Sequence, residues 1–325
     1  MRLLTQEDIR DVFVKGIQRG LPFILSKFNF SSLERTKSAF NTTASVGSNW
    51  WDIPYVKRRW NEKISGDLEV DYETYLTKTV FSNSQHLKLV SIGSGICSHE
   101  MRLAELNPNW EIHCVDIADN LLQKAAEISR EKGLNNMQFL HQDIYQSDLQ
   151  KEFYDVVLFH SSLHHFDDIE HFLKNKIMPV LKENGKLIIN EFVGKNRLQF
   201  DKEQIKAINQ CIKLIDEEYR VIYKTNLLKN KFYGSGLLRM IIADPSECID
   251  SESIMPNIHQ HFNTIVEKPY GGNLLMSALK SIAHHFIELD ARKQDLLDQL
   301  FAFEDEYLKS HQSDFVFGVY EKKTL

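Results

Sequence analysis

The chain has 325 residues, of which 42% are hydrophobic and 26% are charged, so it has enough apolar residues for a sizeable core. This balance argues against a globally disordered chain. The formal net charge of -6 argues against a nucleic-acid partner, because a protein that binds a phosphate backbone normally carries an excess of lysine and arginine.

Cysteine usage and hydropathy indicate the broad class of protein. The four cysteines include no CxxC pair, which argues against a disulfide framework and against a cysteine-based zinc site. No apolar run approaches the ~18–20 residues that a membrane-spanning helix needs. Charged residues interrupt positions 1–16, where a signal peptide would need an apolar stretch. We therefore expect a cytoplasmic protein without a membrane segment.

Residues 1–84 are predicted to form a helical N-terminal region that caps the substrate site. Apolar residues recur near 3.6-residue spacing over 3–17, which predicts an amphipathic helix. Gly20-Leu21-Pro22 interrupts this helix, and a second apolar segment follows at 23–28. The segment 49–67 is dense in aromatic residues and arginine.

Residues 85–194 alternate between predicted strands and predicted helices. The strands cover 87–92, 110–115, 137–140, 154–159 and 186–190, and the helices cover 99–106, 121–132 and 169–181. Strands separated by helices of this length predict an α/β fold, in which a parallel sheet has helices on both faces.

Residues 195–243 break this alternation. A charged helical stretch over 201–223 precedes a segment rich in lysine, tyrosine and glycine, and we interpret the insertion as a helical lid. The α/β pattern resumes over 244–325, which we expect to complete the core sheet. The predicted elements there are a helix around 251–261, a strand near 264–268, helices over 274–309 and a strand at 315–320.

A short glycine-containing loop follows the first predicted strand. The glycines of Gly93-Ser94-Gly95 lack the Cβ atoms that would hold a ligand away from the backbone. Asp116 follows the second strand, about where an acid accepts hydrogen bonds from ribose hydroxyls, and Asp143 follows the third. Because such sheets bind ligands at the carboxyl ends of their strands, these residues predict a nucleoside site.

Two nucleoside cofactors fit this outline. The dinucleotide fingerprint GxGxxG requires a third glycine, where this chain has Ser98, whereas S-adenosylmethionine has no phosphate to bind. Residues 87–194 resemble the class I S-adenosylmethionine-dependent methyltransferases. The matching stretches, in the family's order and at its usual separations, are VSIGSGICSHE, HCVDIADN, FLHQDI, FYDVVLFHSSLHHF and LKENGKLIINEF.

The resemblance implies a fold, a cofactor and a set of residue roles. The fold would be a doubly wound, mostly parallel seven-stranded sheet, and the C-terminal stretch DFVFGVYEKK is similar to the family's antiparallel last strand. The cofactor would be S-adenosylmethionine. Gly93, Ser94 and Gly95 would pass beneath its methionine and ribose. Asp116 would hold the ribose hydroxyls, with Ile117 against the adenine.

Three further segments carry implied contacts to the cofactor. Asp143 and Ile144 would flank the other side of the adenine, with Asp143 accepting from its exocyclic amine. His160 and Ser161, which leave the fourth strand, would line the methionine and the methyl group. Cys97 stands where a third glycine is common in the family.

Methyl transfer from a sulfonium is an in-line displacement in which the cofactor supplies the electrophile. A general base adds about 10²–10⁴-fold when the acceptor must lose a proton. His164 and His165 are the predicted bases because imidazole titrates near neutrality, although such a pair can instead orient the strand–helix junction. Glu191, after the fifth strand, could bind a substrate amine or hydroxyl, or could be a solvated loop acid.

Substrate selection is expected from outside the core. Aromatic and basic side chains could cap the pocket and meet a carboxylate or phosphate of the acceptor, although the aromatic residues of 49–67 could equally pack inward on an amphipathic helix. The predicted substrate-binding residues are Trp51, Tyr55, Arg58, Arg59, Tyr233 and Arg239. No HExxH motif or cysteine set indicates a metal.

The leading hypothesis is a methyltransferase that acts on a small molecule such as a natural product, a sugar or an amino-acid derivative. We expect no nucleic-acid or membrane partner, and pairing of two copies through the helical N-terminus stays open. Two alternatives come from other classes: a nicotinamide-dependent oxidoreductase, and a catalytically silent methyltransferase fold that serves as a binding module.

Overall fold

The computed structural model describes residues 1–19 and 49–323. Two predicted features, the helix break at residues 20–22 and the apolar segment at 23–28, lie outside the described residues. Within the part of the chain that is described, no helix is long and apolar enough to cross a membrane.

Seven strands form one sheet in the order β3-β2-β1-β4-β5-β7-β6. Their bounds are β1 Lys88–Ile92, β2 Glu111–Asp116, β3 Met137–His141, β4 Tyr154–His160, β5 Leu181–Phe192, β6 Phe262–Gly271 and β7 Phe315–Lys322. Strands β1 to β5 pair in parallel, and one strand of the sheet is antiparallel. This confirms the doubly wound, mostly parallel fold, and the strand order reverses between β1 and β4.

Eleven α-helices lie in the described residues. Their bounds are α1 Gln6–Arg19, α2 Pro54–Ser65, α3 Tyr72–Tyr75, α4 Ser98–Leu106, α5 Asp119–Glu131, α6 Ile169–Phe172, α7 Lys202–Leu214, α8 Leu237–Ala243, α9 Ile254–His261, α10 Leu275–Leu279 and α11 Ala291–Leu308. Short 3₁₀ or π segments occupy Trp50–Asp52, Leu76–Val80, Leu163–His165, Leu173–Ile177, Asn196–Leu198, Glu217–Arg220, Ser251–Ser253 and Ala283–Phe286.

The central strands are apolar on both faces, as a parallel sheet covered by helices requires. In β1, Leu89 and Val90 are fully buried, and they pair with Val156 and Val157 of β4. Because β1 lies between β2 and β4, the ends of β1 and β4 lie side by side at the reversal of strand order. Ligands of open α/β sheets bind at this point.

The chain divides into two compact units that interleave along the sequence. The first comprises Met1–Trp60, Gly194–Glu247 and Tyr270–Phe315, with residues 20–48 not described. The second comprises Asn61–Val193, Cys248–Pro269 and Val316–Leu325, and it contains β1 to β5 with their connecting helices. The four predicted regions, with their boundaries near residues 84, 194 and 243, stay a prediction.

Two predicted helices end earlier in the structure than the sequence suggested. The helix predicted over 169–181 is α6 followed by the π segment Leu173–Ile177, and Leu181 already belongs to β5. The pairing of β4 with β5 shifts between Tyr154–Leu181 and Val156–Lys186, so residues 182–185 form an irregularity inside one strand. The helix predicted over 201–223 is α7, which ends at Leu214.

The first unit contains a buried ion-pair network. Arg59 of α2 is 7% exposed, and its guanidinium bonds to both carboxylate oxygens of Asp305 at 3.0 Å. The fully buried Glu304 lies 3.6 Å from the same guanidinium and accepts hydrogen bonds from the backbone N–H groups of Leu274 and Leu275 at the start of α10. These contacts tie α2, α10 and α11 together.

Asp314→Asn is expected to change how the stability of the protein depends on pH. Asp314 is 6% exposed and accepts a hydrogen bond from the Gln204 amide at 2.7 Å, and burial raises its pKa to about 7. In the unfolded chain the pKa of this carboxyl group is about 3.9. Between pH ~4 and pH ~7 the group is therefore protonated mainly in the folded state. The contribution of Asp314 to stability is therefore complete below pH ~4 and falls by at most ~1.4 kcal/mol per pH unit up to pH ~7.

Urea unfolding at pH 5 and pH 7 measures this dependence. The Asp314→Asn variant should lose less unfolding free energy than the wild type between the two pH values, because the amide has no proton to lose. Asp295→Asn is the control, since the Asp295 side chain is 56% exposed in the same unit, and it should keep the wild-type difference. If the unfolding free energy of Asp314→Asn changed between pH 5 and pH 7 by as much as that of the wild type, the raised pKa of Asp314 would be contradicted.

Candidate active site

The glycine loop lies at the carboxyl end of β1. Gly93 has φ 72°, and a Cβ atom there would lie 2.7 Å from the Cβ atom of Ser162, so any other residue would collide with the turn after β4. Gly95 has φ 54°, and a Cβ there would meet nothing within 4 Å, which leaves open space above the loop. Cys97 is buried and adopts a left-handed conformation with φ 58°, the conformation for which glycine is the usual residue.

Asp116, at the end of β2, holds the glycine loop. One carboxylate oxygen accepts a hydrogen bond from the Gly95 N–H at 2.7 Å, and the other accepts from the Ala118 N–H at 2.7 Å. Burial raises the pKa of Asp116, while these hydrogen bonds act in the opposite direction. Gly95 and Asp116 are therefore in direct contact.

Residues predicted to flank the adenine lie at the ends of β2 and β3. Ile117 is half-buried, and its carbonyl accepts a hydrogen bond from the His141 ring at 3.2 Å. Asp143 accepts from the Tyr145 N–H at 2.9 Å, and Ile144 is 5% exposed. The ends of β1, β2 and β3 thus carry the predicted ribose and adenine residues.

The turn after β4 is bonded to the end of β1. The Ser162 hydroxyl donates to the Ile92 carbonyl at 2.7 Å. Ser161 is exposed and has φ 49°, and its N–H donates to the Asn190 carbonyl at 2.9 Å. His160, the last residue of β4, is half-buried. Both residues predicted to line the methyl side therefore stand beside the glycine loop.

Glu191, His164 and His165, the three predicted catalytic residues, lie together at the ends of β4 and β5. Glu191 is fully buried, and its carboxylate accepts from the backbone N–H groups of Ser162 and Leu163 and bonds to His164 Nδ1 at 2.7 Å. His164 is 8% exposed, and the His165 ring lies 4.3 Å from it, centroid to centroid. The carboxylate of Glu191 therefore holds the turn and one of the two imidazoles.

The six predicted substrate-binding residues all belong to the first unit, whereas the glycine loop belongs to the second. Trp51 and Arg58 are exposed, and the Tyr55 hydroxyl donates to Asp298 at 2.8 Å. The Arg59 guanidinium is held in the ion-pair network of Asp305 and Glu304, described above. Their role in acceptor binding stays a prediction.

Two of the predicted substrate-binding residues lie in the predicted lid, residues 195–243, and each has a polar partner. Arg239 pairs with Asp8 at 2.9 Å and with Asp11 at 3.3 Å, and its side chain is 16% exposed. Tyr233 is half-buried, and its N–H donates to Glu7 at 3.2 Å. Both therefore contact α1 within the first unit.

Sequence reasoning missed four residues that lie beside the glycine loop. Tyr72 and Glu73 come from α3, and His99 and Glu100 come from the start of α4. The Tyr72 ring stacks on His160 with centroids 5.4 Å apart, and the His99 ring stacks on His160 at 3.6 Å. His99 and Glu100 belong to the glycine-loop stretch VSIGSGICSHE, so the sequence indicated that they lie near the loop. No local sequence pattern indicated that Tyr72 and Glu73 also lie there.

Comparison with known proteins gives a family match and distant structural similarity. The model of a family described as "Methyltransferase domain" matches residues 83–262, more than half of the chain. A search of curated proteins finds no match. A putative sarcosine dimethylglycine methyltransferase from Galdieria sulphuraria is 15% identical, with 78% of this chain and 85% of that chain covered and a TM-score of 0.44.

Two other solved structures show similarity at the same level. The [4+2]-cyclase SpnF is 14% identical, with coverage of 74% of this chain and 76% of that chain and a TM-score of 0.43. A putative methyltransferase from Bacillus halodurans C-125 is 14% identical, with coverage of 74% and 94% and a TM-score of 0.41. The family match covers every strand from β1 to β5 and the whole glycine loop. The chain therefore belongs to the methyltransferase domain family, and it is a class I S-adenosylmethionine-dependent methyltransferase.

Proposed function

We propose that the enzyme methylates a small-molecule acceptor, such as a natural product, a sugar or an amino-acid derivative. The observation that carries the proposal is the Asp116 carboxylate bonded to Gly95 at the reversal of strand order, an arrangement suited to a single nucleoside cofactor. The acidic net charge supports a small acceptor over a nucleic acid.

The residues at this site fit S-adenosylmethionine. Open space lies above Gly95, where a Cβ atom would meet nothing within 4 Å, so a ligand can approach the backbone. His160 Nδ1 and Gln142 Oε1 are buried polar atoms without a hydrogen-bond partner among the described residues, and a bound ligand would supply one. His160 ends β4, which pairs with β1, and Gln142 follows β3, which pairs with β2.

When it is bound, the cofactor supplies an electrophilic methyl group and a neutral thioether leaving group. Gly93, Ser94 and Gly95 would hold its methionine and ribose. Asp116 would accept from the ribose hydroxyls. The remaining contacts would come from Ile117, Asp143 and Ile144 at the adenine and from His160 and Ser161 at the methionine. Holding both reactants in line contributes several kcal/mol to such a reaction.

His164 and His165 are the proposed proton acceptors for an acceptor hydroxyl or ammonium. Glu191 would act through His164, because its carboxylate bonds to His164 Nδ1 and to two backbone N–H groups and is fully buried. Such a bond fixes the tautomer and the orientation of the imidazole. In this proposal Glu191 is a positioning residue.

Two measurements test the proposed function. Calorimetry should show binding of S-adenosylhomocysteine and no binding of NAD or NADP. Transfer of a radiolabelled methyl group should then appear in small-molecule fractions of an extract, and not in its nucleic-acid or protein fractions. Label that enters RNA, DNA or protein would contradict the acceptor class, and a failure to bind S-adenosylhomocysteine would contradict the arrangement of the site.

A further inference from the structure

One tyrosine bonds the loop after β3 to the turn after β4. The Tyr145 hydroxyl donates to Asp167 Oδ1 at 2.8 Å and accepts from the Asp167 N–H at 3.0 Å. In the sheet, β2 and β1 lie between β3 and β4, so strand pairing does not bring these two segments together. Residues 142–168 all belong to the second unit, as the glycine loop does.

Both hydrogen bonds require the neutral phenol of Tyr145. Partial burial and the bond to Asp167 raise the pKa of Tyr145, so the hydroxyl keeps its proton near neutral pH and can donate. The same oxygen accepts from a backbone N–H, because a phenol is both a donor and an acceptor. A phenylalanine at position 145 would keep the ring and make neither bond.

The ring of Tyr145 makes a second contact with the same turn. Its centroid lies 5.5 Å from that of Phe166 and 5.7 Å from that of Phe172. These two phenylalanines stack with centroids 4.2 Å apart, and Phe172 is 1% exposed. Tyr145 is 47% exposed and Asp167 is exposed, so the hydroxyl bonds lie at the surface. They can therefore open while the core stays folded.

Tyr145 is also bonded to a residue that is predicted to contact the adenine. Its N–H donates to Asp143 Oδ1 at 2.9 Å, and it directly follows Ile144. The Ser147 N–H and hydroxyl donate to the Asp143 carbonyl at 2.9 Å and 2.7 Å, so residues 143–147 form one turn. A ligand that contacts Asp143 or Ile144 would therefore act on the segment that carries Tyr145.

The turn after β4 is held near both of its ends. We call residues 161–168 the histidine turn. The Glu191 carboxylate accepts from two backbone N–H groups near the start of this turn, and the Tyr145 hydroxyl bonds near its end. The two proposed proton acceptors lie between these contacts. Their position therefore depends on a side chain from β5 and on one from the loop after β3.

We propose that Tyr145 is a positioning residue that couples occupation of the adenine subsite to ordering of the histidine turn. The proposal rests on the proposed function, because it takes Asp143 and Ile144 as adenine contacts and the two histidines of the turn as proton acceptors. A bound adenine that restrains these contacts also restrains Tyr145, and the two hydroxyl bonds pass this restraint to the histidine turn. The proton acceptors are then ordered while the cofactor is in place.

Residue-resolved amide hydrogen exchange at His165 and Phe166 tests this coupling. Their N–H groups bond to the carbonyls of Ser162 and Leu163, so their exchange rates report on the order of the turn itself. We expect saturating S-adenosylhomocysteine to slow exchange at both amides at least 5-fold in the wild type and less than 2-fold in Tyr145→Phe. In the glycine loop, both proteins should show the same slowing.

Two further variants serve as controls. Asp167→Asn keeps an acceptor oxygen and the backbone N–H, so it should retain the wild-type slowing within 2-fold. Tyr154→Phe removes a hydroxyl that bonds to His113 Nδ1 at 2.9 Å at the start of β4. This variant loses a buried hydrogen bond at the other end of the strand, and it should also keep the wild-type slowing.

The possible results separate coupling from mere support of the turn. A structural bond alone would make Tyr145→Phe exchange faster with and without the ligand and leave the slowing factor unchanged, which overturns the proposal. A wild type that binds S-adenosylhomocysteine without slowing at these amides overturns it too. Loss of the slowing in Asp167→Asn or Tyr154→Phe would show that general destabilisation abolishes it, with the same consequence. A wild type that does not bind S-adenosylhomocysteine would instead overturn the proposed function.

Discussion

Asp116→Asn is expected to weaken binding of S-adenosylhomocysteine by about 10- to 100-fold, which corresponds to about 1.4–2.7 kcal/mol. Asp116 has two tasks: its carboxylate accepts from the Gly95 and Ala118 N–H groups, and it would accept from the ribose hydroxyls. Asparagine keeps the shape of the side chain but removes the charge and replaces one acceptor oxygen with a donor. Isothermal titration calorimetry measures the loss of affinity directly.

Asp148→Asn is the matched control for this substitution. The Asp148 side chain is 82% exposed and pairs with Lys176, so its replacement should leave the affinity within 2-fold of the wild type. Thermal denaturation of both variants shows whether Asp116→Asn lowers the affinity by destabilising the protein or by removing a contact to the ligand. A folded Asp116→Asn protein with wild-type affinity would count against the ribose assignment.

Local apolar patterning was enough to predict the five parallel strands β1 to β5. Each of β1 to β5 overlaps the stretch predicted for it, because the strands are short apolar runs bounded by turns and are separated by amphipathic helices. The sequence also predicted that Gly95 and Asp116 follow the first and second strands, but it did not predict the hydrogen bond between them.

Helix ends and irregular pairing could not be predicted in the same way. Helix α7 ends at Leu214 because Ile215 is extended and 2% exposed, so tertiary burial ends the helix without glycine or proline. The irregularity in β5 depends on how the strand pairs with β4, and on Asn184, which has φ 62°. These features are set by contacts that are distant in sequence.

The candidate site was predicted only in part, because contacts between residues distant in sequence also place some of its side chains. Residues at the ends of predicted strands were found, whereas Tyr72 and Glu73 precede β1 on a short helix whose position beside β4 depends on tertiary packing. Glu191 was considered a possible solvated acid, and its complete burial shows how little its position at a strand end says about its environment. A sequence indicates which residues leave a strand, but not which of them turn inward.

Glu191→Gln is expected to lower the free energy of unfolding by about 2–4 kcal/mol. The Glu191 carboxylate receives three donors: the N–H groups of Ser162 and Leu163 on one oxygen and His164 Nδ1 on the other. Glutamine offers one carbonyl oxygen, and its amide NH₂ would face a donor at the other position. At least one buried donor is then left without an acceptor, and urea unfolding at pH 7 measures the resulting loss.

Glu183→Gln provides the comparison within the same strand. Glu183 is an exposed residue of β5, so this variant should unfold within about 0.5 kcal/mol of the wild type, as surface substitutions usually do. A Glu191→Gln protein as stable as the Glu183→Gln protein would mean that the turn after β4 does not depend on this carboxylate. Glu191 would then be available for contact with the acceptor, and its role as a positioning residue would have to be abandoned.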